Sequence, residues 1–424
     1  MDKDHPVEIV IGQDAIERLV QFCATLPEPR LTMVADTNTY AALGERVESA
    51  LKAAGLDVLP IVLRGEEVAA DEKHLVEVLV KAPPVPQTFL AVGSGTITDI
   101  ARYISYRTGN KFISVPTAAS VDGFVSTGAP LVVGGIKDTY PSHGPYALFA
   151  DLPTLVDAPR PLTAAGFGDI LGKAISLADW RLGQLLWNEP YSPDIAGRTR
   201  RTLDECIRNA EDIRSGSAEA LHALLDGLIE SGMCILDFGN SRPASGAEHH
   251  CSHFWEMQLL RLGRPAILHG AKVGYAAILM SQLYAQIRAL TQDEVARFAA
   301  DAPAFSRAAQ IEEIRTAYGD SADGIIQIQQ PFLSLSEADV AQIKQRIVDE
   351  WPTIQEIAAT VPPPEAVTLA LETVGAPVSW RTLGLPESVV AGGPRYGHYL
   401  RNRFTILKLF GFLGLDAPGS IEYV

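Results

Sequence analysis

The chain has little with which to grip nucleic acid or an anionic membrane surface. Against 51 Asp and Glu stand only 35 Lys and Arg, a formal charge of −16 with a pI near 5.0. Both partners require basic patches that neutralise phosphate, so any phosphate this protein binds is held locally, against the global field. Cysteine is scarce as well. Cys23, Cys206, Cys234 and Cys251 are widely separated and form no CxxC pair, which reads as reduced thiols rather than a disulfide framework. No stretch approaches the roughly 20 apolar residues of a membrane span. The opening Met-Asp-Lys-Asp-His-Pro lacks the basic start and apolar run of a secretory signal. Together these absences predict a soluble cytoplasmic protein with no nucleic-acid partner and no membrane span.

What is present is a long chain rich in core-forming residues, 424 residues of which 47% are apolar, enough for two domains. The first 160 residues alternate short apolar runs with amphipathic stretches, the pattern of βαβ units around a parallel sheet. Strands are predicted at Val7–Ile11, Leu31–Ala35, Asp57–Leu63, Thr88–Val92, Lys111–Val115 and Tyr146–Ala150, with a β-hairpin over Pro130–Tyr140 turning at Gly134-Gly135. Helices are predicted at Asp14–Thr25, Tyr40–Ala54, Asp71–Lys81 and Thr98–Thr108. After the prolines at 159 and 161 alternation disappears, and Thr163–Trp187, Ala218–Asp237, His249–Leu262 and Ala271–Leu290 follow helical periodicity. The expectation is a Rossmann-like α/β domain over residues 1–160 and an all-α domain over 161–424. The acidic helices of 292–375 carry no chemical motif.

Three segments of the first domain invite a ligand. The strand ending in Val92 runs into Gly93-Ser94-Gly95-Thr96-Ile97-Thr98-Asp99 and then a helix, a turn that lets backbone approach a pyrophosphate and aims helix amides at it. Glycine at such a turn is equally often steric punctuation. Asp36 ends a strand where a carboxylate accepts from an adenosine ribose, or simply caps the next helix. Thr117-Ala118-Ala119-Ser120-Val121-Asp122, with Ser126 beyond, is a loop of small hydroxyl residues that suits a cofactor edge or an ordinary capped turn.

The second domain holds the strongest constellation. Four of the nine histidines fall between 249 and 269: His249, His250, His253 and His269. His249 and His253 are four apart and share a helical face, as metal and acid–base pairs do. A third, anionic ligand is needed. Asp169 is the natural choice, since it is expected to open a helix within an apolar stretch; a helix-dipole acid is its alternative reading. Lys173, one turn on, is placed to pair with it.

With these residues in hand, the chain resembles the superfamily of dehydroquinate synthase, glycerol dehydrogenase and iron-type alcohol dehydrogenases. Within that superfamily it is most similar to the sn-glycerol-1-phosphate dehydrogenases. Three stretches carry the resemblance: Val115–Ser126, Leu162–Lys173, and Ser241-Arg242-Pro243-Ala244-Ser245-Gly246-Ala247-Glu248-His249. The resemblance implies that Asp169, His249 and His269 ligate a divalent metal, zinc or nickel. It implies cofactor contacts from Asp36, from Gly93 and Gly95 through Thr96, Ile97, Thr98 and Asp99, and from Thr117, Ala118, Ala119, Ser120 and Ser126. Asp36 points to NAD(H), with NADP(H) as the alternative. It also implies substrate contacts from Asp122, Asp169 and His253. Arg242, which glycerol dehydrogenases lack, is a plausible phosphate ligand, with Lys137 and Arg403 as further options. His250 receives no role.

The expected reaction is the reversible reduction of dihydroxyacetone phosphate to sn-glycerol 1-phosphate, with His253 and Asp169 at the catalytic centre. A homodimer or larger homo-oligomer is compatible with it. The alternatives are a dehydrogenase of unphosphorylated polyols, a dehydroquinate-synthase-like enzyme, and a non-catalytic sensor of nucleotides or sugar phosphates.

Overall fold

A computed structural model describes residues 7–28, 30–65, 68–134 and 136–423. The N-terminal hexapeptide and Gly135 of the expected hairpin turn lie outside the described residues. Eight strands form: β1 (Glu8–Gly12), β2 (Arg30–Asp36), β3 (Asp57–Leu63), β4 (Thr88–Gly93), β5 (Lys111–Pro116), β6 (Gly128–Val133), β7 (Ile136–Pro141) and β8 (Ala147–Asp151). Six of them make one sheet in the order β1-β8-β5-β4-β2-β3, with every pairing parallel. β6 and β7 form a separate antiparallel hairpin.

Parallel strands require crossovers, and amphipathic helices supply them. α1 (Ala15–Ala24), α2 (Glu45–Ala53), α3 (Glu72–Lys81) and α4 (Gly95–Arg107) follow their strands, and a wider π-helical turn at Tyr40–Gly44 leads into α2. The sheet is covered on both faces, because alternate residues of each strand enter different cores. Met33 and Ala35 pack with Leu19, Val47 and Leu51 of α1 and α2, whereas Val34 between them packs with Val78 of α3 and Ile100 and Ile104 of α4.

Beyond Asp151 the described chain is helical, and among its helices are α5 (Arg160–Leu171), α6 (Lys173–Trp187), α7 (Pro193–Arg208), α8 (Ala218–Phe238), α9 (Ala247–Arg261), α10 (His269–Ala289), α11 (Trp351–Ala359) and α12 (Pro364–Val374). The expected helix over 163–187 is broken at Gly172 into α5 and α6. Two compact units result, one of residues 1–167 with 208–239, the other of 168–207 with 240–424. This differs from the expected division at 160 and 161, because α8 returns to the first unit. There Gly232 of α8 lies against the loop after β5: a Cβ on it would stand 2.7 Å from the Asp122 carbonyl oxygen. In the second unit the acidic segment 292–375 packs α11 and α12 against α10, the helix that begins at His269. No helix among the described residues is long and apolar enough to cross a membrane.

Candidate functional site

In the first unit, the ends of β2, β4 and β5 fall on one edge of the sheet, the carboxyl edge where ligands of open α/β sheets bind. The turn between β4 and α4 is a single residue, Ser94. A Cβ on Gly93 would lie 2.6 Å from that of Ile97, so a side chain there would block the passage of strand into helix. Ile97 is in the core, the Thr98 hydroxyl donates to the Ser94 carbonyl at 3.0 Å, and Asp99 accepts from Arg102 at 2.9 Å. Those three side chains are committed to the protein, which leaves the backbone amides, Ser94 and Thr96 as the groups a ligand could meet. Asp36 caps the next helical turn, accepting from the Thr39 amide at 2.8 Å in a capping box.

The hydroxyl loop is fastened to this turn. The Thr117 amide donates to the Gly93 carbonyl at 3.3 Å, and the Ser120 hydroxyl donates to that of Ser94 at 3.4 Å. Ala118 and Ala119 are buried. The Ser126 hydroxyl donates to the Gly123 and Gly128 carbonyls. Arg102, fully buried, donates to the carbonyls of Gly123, Phe124 and Gly128 and so ties the loop to α4. Asp122 accepts from Ser231 of α8 at 2.9 Å.

The histidine cluster lies wholly in the second unit. Asp169 does not open a helix, as its surroundings in the sequence suggest, but sits in the last turn of α5. The dipole there disfavours a negative charge, so the helix-dipole reading fails. Close helix packing delivers it to the site. A Cβ on Gly168 would be 2.4 Å from the Gly270 carbonyl oxygen, and one on Gly274 would be 3.3 Å from the Gly168 Cα. The backbones of α5 and α10 therefore nearly touch, which sets Asp169 beside His269. From α9, His249 directs Nε2 to Asp169 at 3.4 Å and donates from Nδ1 to Glu248 at 2.6 Å. The ligand atoms of Asp169, His249 and His269 all lie within 4.8 Å of one another.

Carboxylates and cations of the cluster hold one another in charged form. Burial raises the Asp169 pKa, but the Lys173 ammonium 2.9 Å away and the two imidazoles hold it well below the ordinary value. Burial likewise opposes a charge on His249, yet its bonds to Asp169 and Glu248 lift its pKa to about 9. Burial keeps His269 neutral, with a lone pair to offer. One carboxylate and two imidazoles, one of them fixed by an outer carboxylate, are a donor set that suits zinc or nickel.

His253, one turn beyond His249, has its ring 5.3 Å from that of His269. His253, Glu256 and His269 also have ligand atoms within 4.8 Å of one another. Glu256 forms an ion pair with Lys272 at 3.4 Å and stands 3.7 Å from His253 Nδ1. Burial pushes His253 down to about 4. Arg242 is engaged at one atom, its Nε donating at 2.6 Å to the buried Glu189, and Arg403 donates to Ser241 and Ser245 of the same loop. Sequence reasoning missed Glu189, Glu256 and Glu248 as partners. Only Glu248 left a trace, a carboxylate directly before a histidine ligand.

A parallel-sheet unit followed by a helical unit is a fold this chain shares with a solved iron-containing alcohol dehydrogenase of Thermococcus thioreducens, with a TM-score of 0.60 at 15% identity over 97% of this chain and 98% of that one. The family model for iron-containing alcohol dehydrogenases matches residues 10–159. A glycerol dehydrogenase of Schizosaccharomyces pombe has a similar fold, with a TM-score of 0.62 at 16% identity over 98% of this chain and 88% of that one. Closer relatives narrow the class. A glycerol-1-phosphate dehydrogenase [NAD(P)+] of Bacillus licheniformis is 36% identical over 98% of this chain and 92% of its own. Another, of Halalkalibacterium halodurans, is 45% identical over 65% of this chain and 70% of its own. The chain belongs to the glycerol-1-phosphate dehydrogenase family.

Proposed function

We propose that this chain is an NAD(P)-linked, metal-dependent oxidoreductase that interconverts dihydroxyacetone phosphate and sn-glycerol 1-phosphate. The observation that carries the reading is the Asp169–His249–His269 cluster, with Asp169 and His249 buried and His269 partly so, in a chain of this family. These three residues would hold one divalent cation, zinc or nickel, whose charge polarises a carbonyl and stabilises the alkoxide that develops from it. A nicotinamide held by the first unit would supply the hydride-transfer chemistry.

The chain's own groups bind, orient and move a proton. Amides at the start of α4 take the cofactor pyrophosphate, Asp36 takes the adenosine ribose, and the loop from Thr117 to Ser126 takes the nicotinamide end. His253 is neutral at pH 7, given its lowered pKa. It therefore accepts the hydroxyl proton when the alcohol is oxidised and returns the same proton when the ketone is reduced. Asp122 and Asp169 contribute substrate contacts. Arg242, its guanidinium braced by Glu189, and Arg403 beside it form the basic corner that takes the phosphate. We place the enzyme in the cytoplasm, as a homo-oligomer.

The test is NADH oxidation on metal-stripped protein, repeated after each metal is added back, with dihydroxyacetone phosphate and with free dihydroxyacetone. Metal-dependent turnover of the phosphorylated ketone, giving sn-glycerol 1-phosphate, is the expected result. Preference for the free ketone would make the enzyme a polyol dehydrogenase, and full activity without metal would remove the cluster from the reaction.

A further inference from the structure

A cavity of about 380 Å³ opens in the second unit between α6, α7 and α11. Its lining includes none of the cluster residues Asp169, His249, His253 or His269 and none of the arginines assigned to the phosphate. The volume lies in the range of small-molecule pockets. Its floor is apolar: Leu177, Ala196 and Ile357 are all buried.

Its rim carries two guanidinium groups and one phenol, those of Arg181, Arg200 and Tyr191. The Arg181 guanidinium carbon is 5.3 Å from the Tyr191 ring centroid, and Arg200 donates to the Thr360 carbonyl at 3.3 Å, which fixes its position in the lining. Burial raises the Tyr191 pKa, and the charges of both arginines pull it back. Behind Tyr191 stands Trp180, ring to ring at 4.6 Å, with its indole N–H given to the Pro190 carbonyl. Glu356 is the one carboxylate of the lining, so the concavity is net positive in a chain of charge −16. Two planar forks and a hydroxyl donor at the rim of an apolar floor match an anionic head on a short hydrocarbon body.

We propose that this cavity binds a small amphiphilic anion, Arg181, Arg200 and Tyr191 taking a carboxylate or phosphate head and Leu177, Ala196 and Ile357 the apolar body. The inference does not depend on the reaction assigned above.

The experiment is calorimetric titration of the metal-loaded protein with octanoate and with octyl phosphate, inorganic phosphate serving as the head alone. Either amphiphile should bind once per chain, and the better of the two identifies the head. Arg181→Gln and Arg200→Gln should each weaken that binding by at least about tenfold, the effect of removing a charge-assisted bond. Ala196→Trp, which fills the floor, should abolish it. Metal content and the KM for NADH should stay unchanged in all three variants, which also reports that they are folded. Failure of both amphiphiles to bind overturns the proposal, as does binding that survives Arg200→Gln and Ala196→Trp alike. Inorganic phosphate binding as tightly as octyl phosphate overturns the role of the apolar floor.

Discussion

Glu248 accepts the His249 Nδ1 proton at 2.6 Å and the Gly246 amide at 2.9 Å, so a single buried carboxylate fixes both the tautomer of a ligand and the start of the helix that carries it. Outer partners of this kind tune metal affinity. Glu248→Gln should weaken it about 10–100-fold while leaving the fold intact, as read by competition with a chromophoric chelator. His269→Ala should lose bound metal and activity together, since two ligands hold a cation poorly; a metal-free yet active variant would refute the site. Arg242→Ala should raise the KM for dihydroxyacetone phosphate far more than that for free dihydroxyacetone. Equal effects would show that Arg242 serves only to satisfy Glu189. At this scale the sequence was informative about residue types and silent about partners. Four histidines in 21 positions announce a site, but that Glu189 claims Arg242, 53 residues away, is a tertiary fact with no local pattern.

At the scale of elements, strands were the most legible, because parallel strands buried on both faces read as unbroken apolar runs. Asp57–Leu63 was predicted to the residue, and the other sheet strands to within one residue at each end. Helix ends were harder. Thr163–Trp187 reads as one periodic stretch, yet Gly172 interrupts it, and a Cβ there would stand 2.6 Å from Val273 Cγ1 of α10. The break is set by what packs alongside, which periodicity does not contain. The same crossing yields a prediction at Gly168, where even one methyl would press on the Gly270 carbonyl. Gly168→Ala should cost about 1–3 kcal/mol of stability by overpacking. It should also lower metal affinity by moving Asp169 from His269, a pairing that thermal melts with and without metal would expose.

For the whole molecule, acid sensitivity has an identifiable source in the first unit. His143 packs against Phe112, and its Nε2 meets the Ser105 hydroxyl at 2.8 Å. Burial and the Arg102 charge push its pKa down from 6.5 to about 4. Between those values the unfolded chain binds the extra proton, so the contribution is complete above about pH 6.5 and is lost as pH falls toward 4. The drop in melting temperature from about pH 7 to about pH 4.5 should be shallower in His143→Phe than in the parent; an unchanged slope would assign it to other groups. The two-part division was legible as a change of pattern near residue 160, but the return of 208–239 was not, since a helix that joins a sheet unit looks like any other helix. That return has a consequence for how the molecule is made. The first unit is discontinuous along the chain, and its Asp122 loop receives Ser231 only from α8. A ribosome that has released the chain as far as residue 167 has therefore not released a finished unit. It must extrude 40 residues belonging to the other unit before the missing helix appears, so the early unit waits, its Asp122 loop unpartnered by Ser231, for a piece of chain that arrives late.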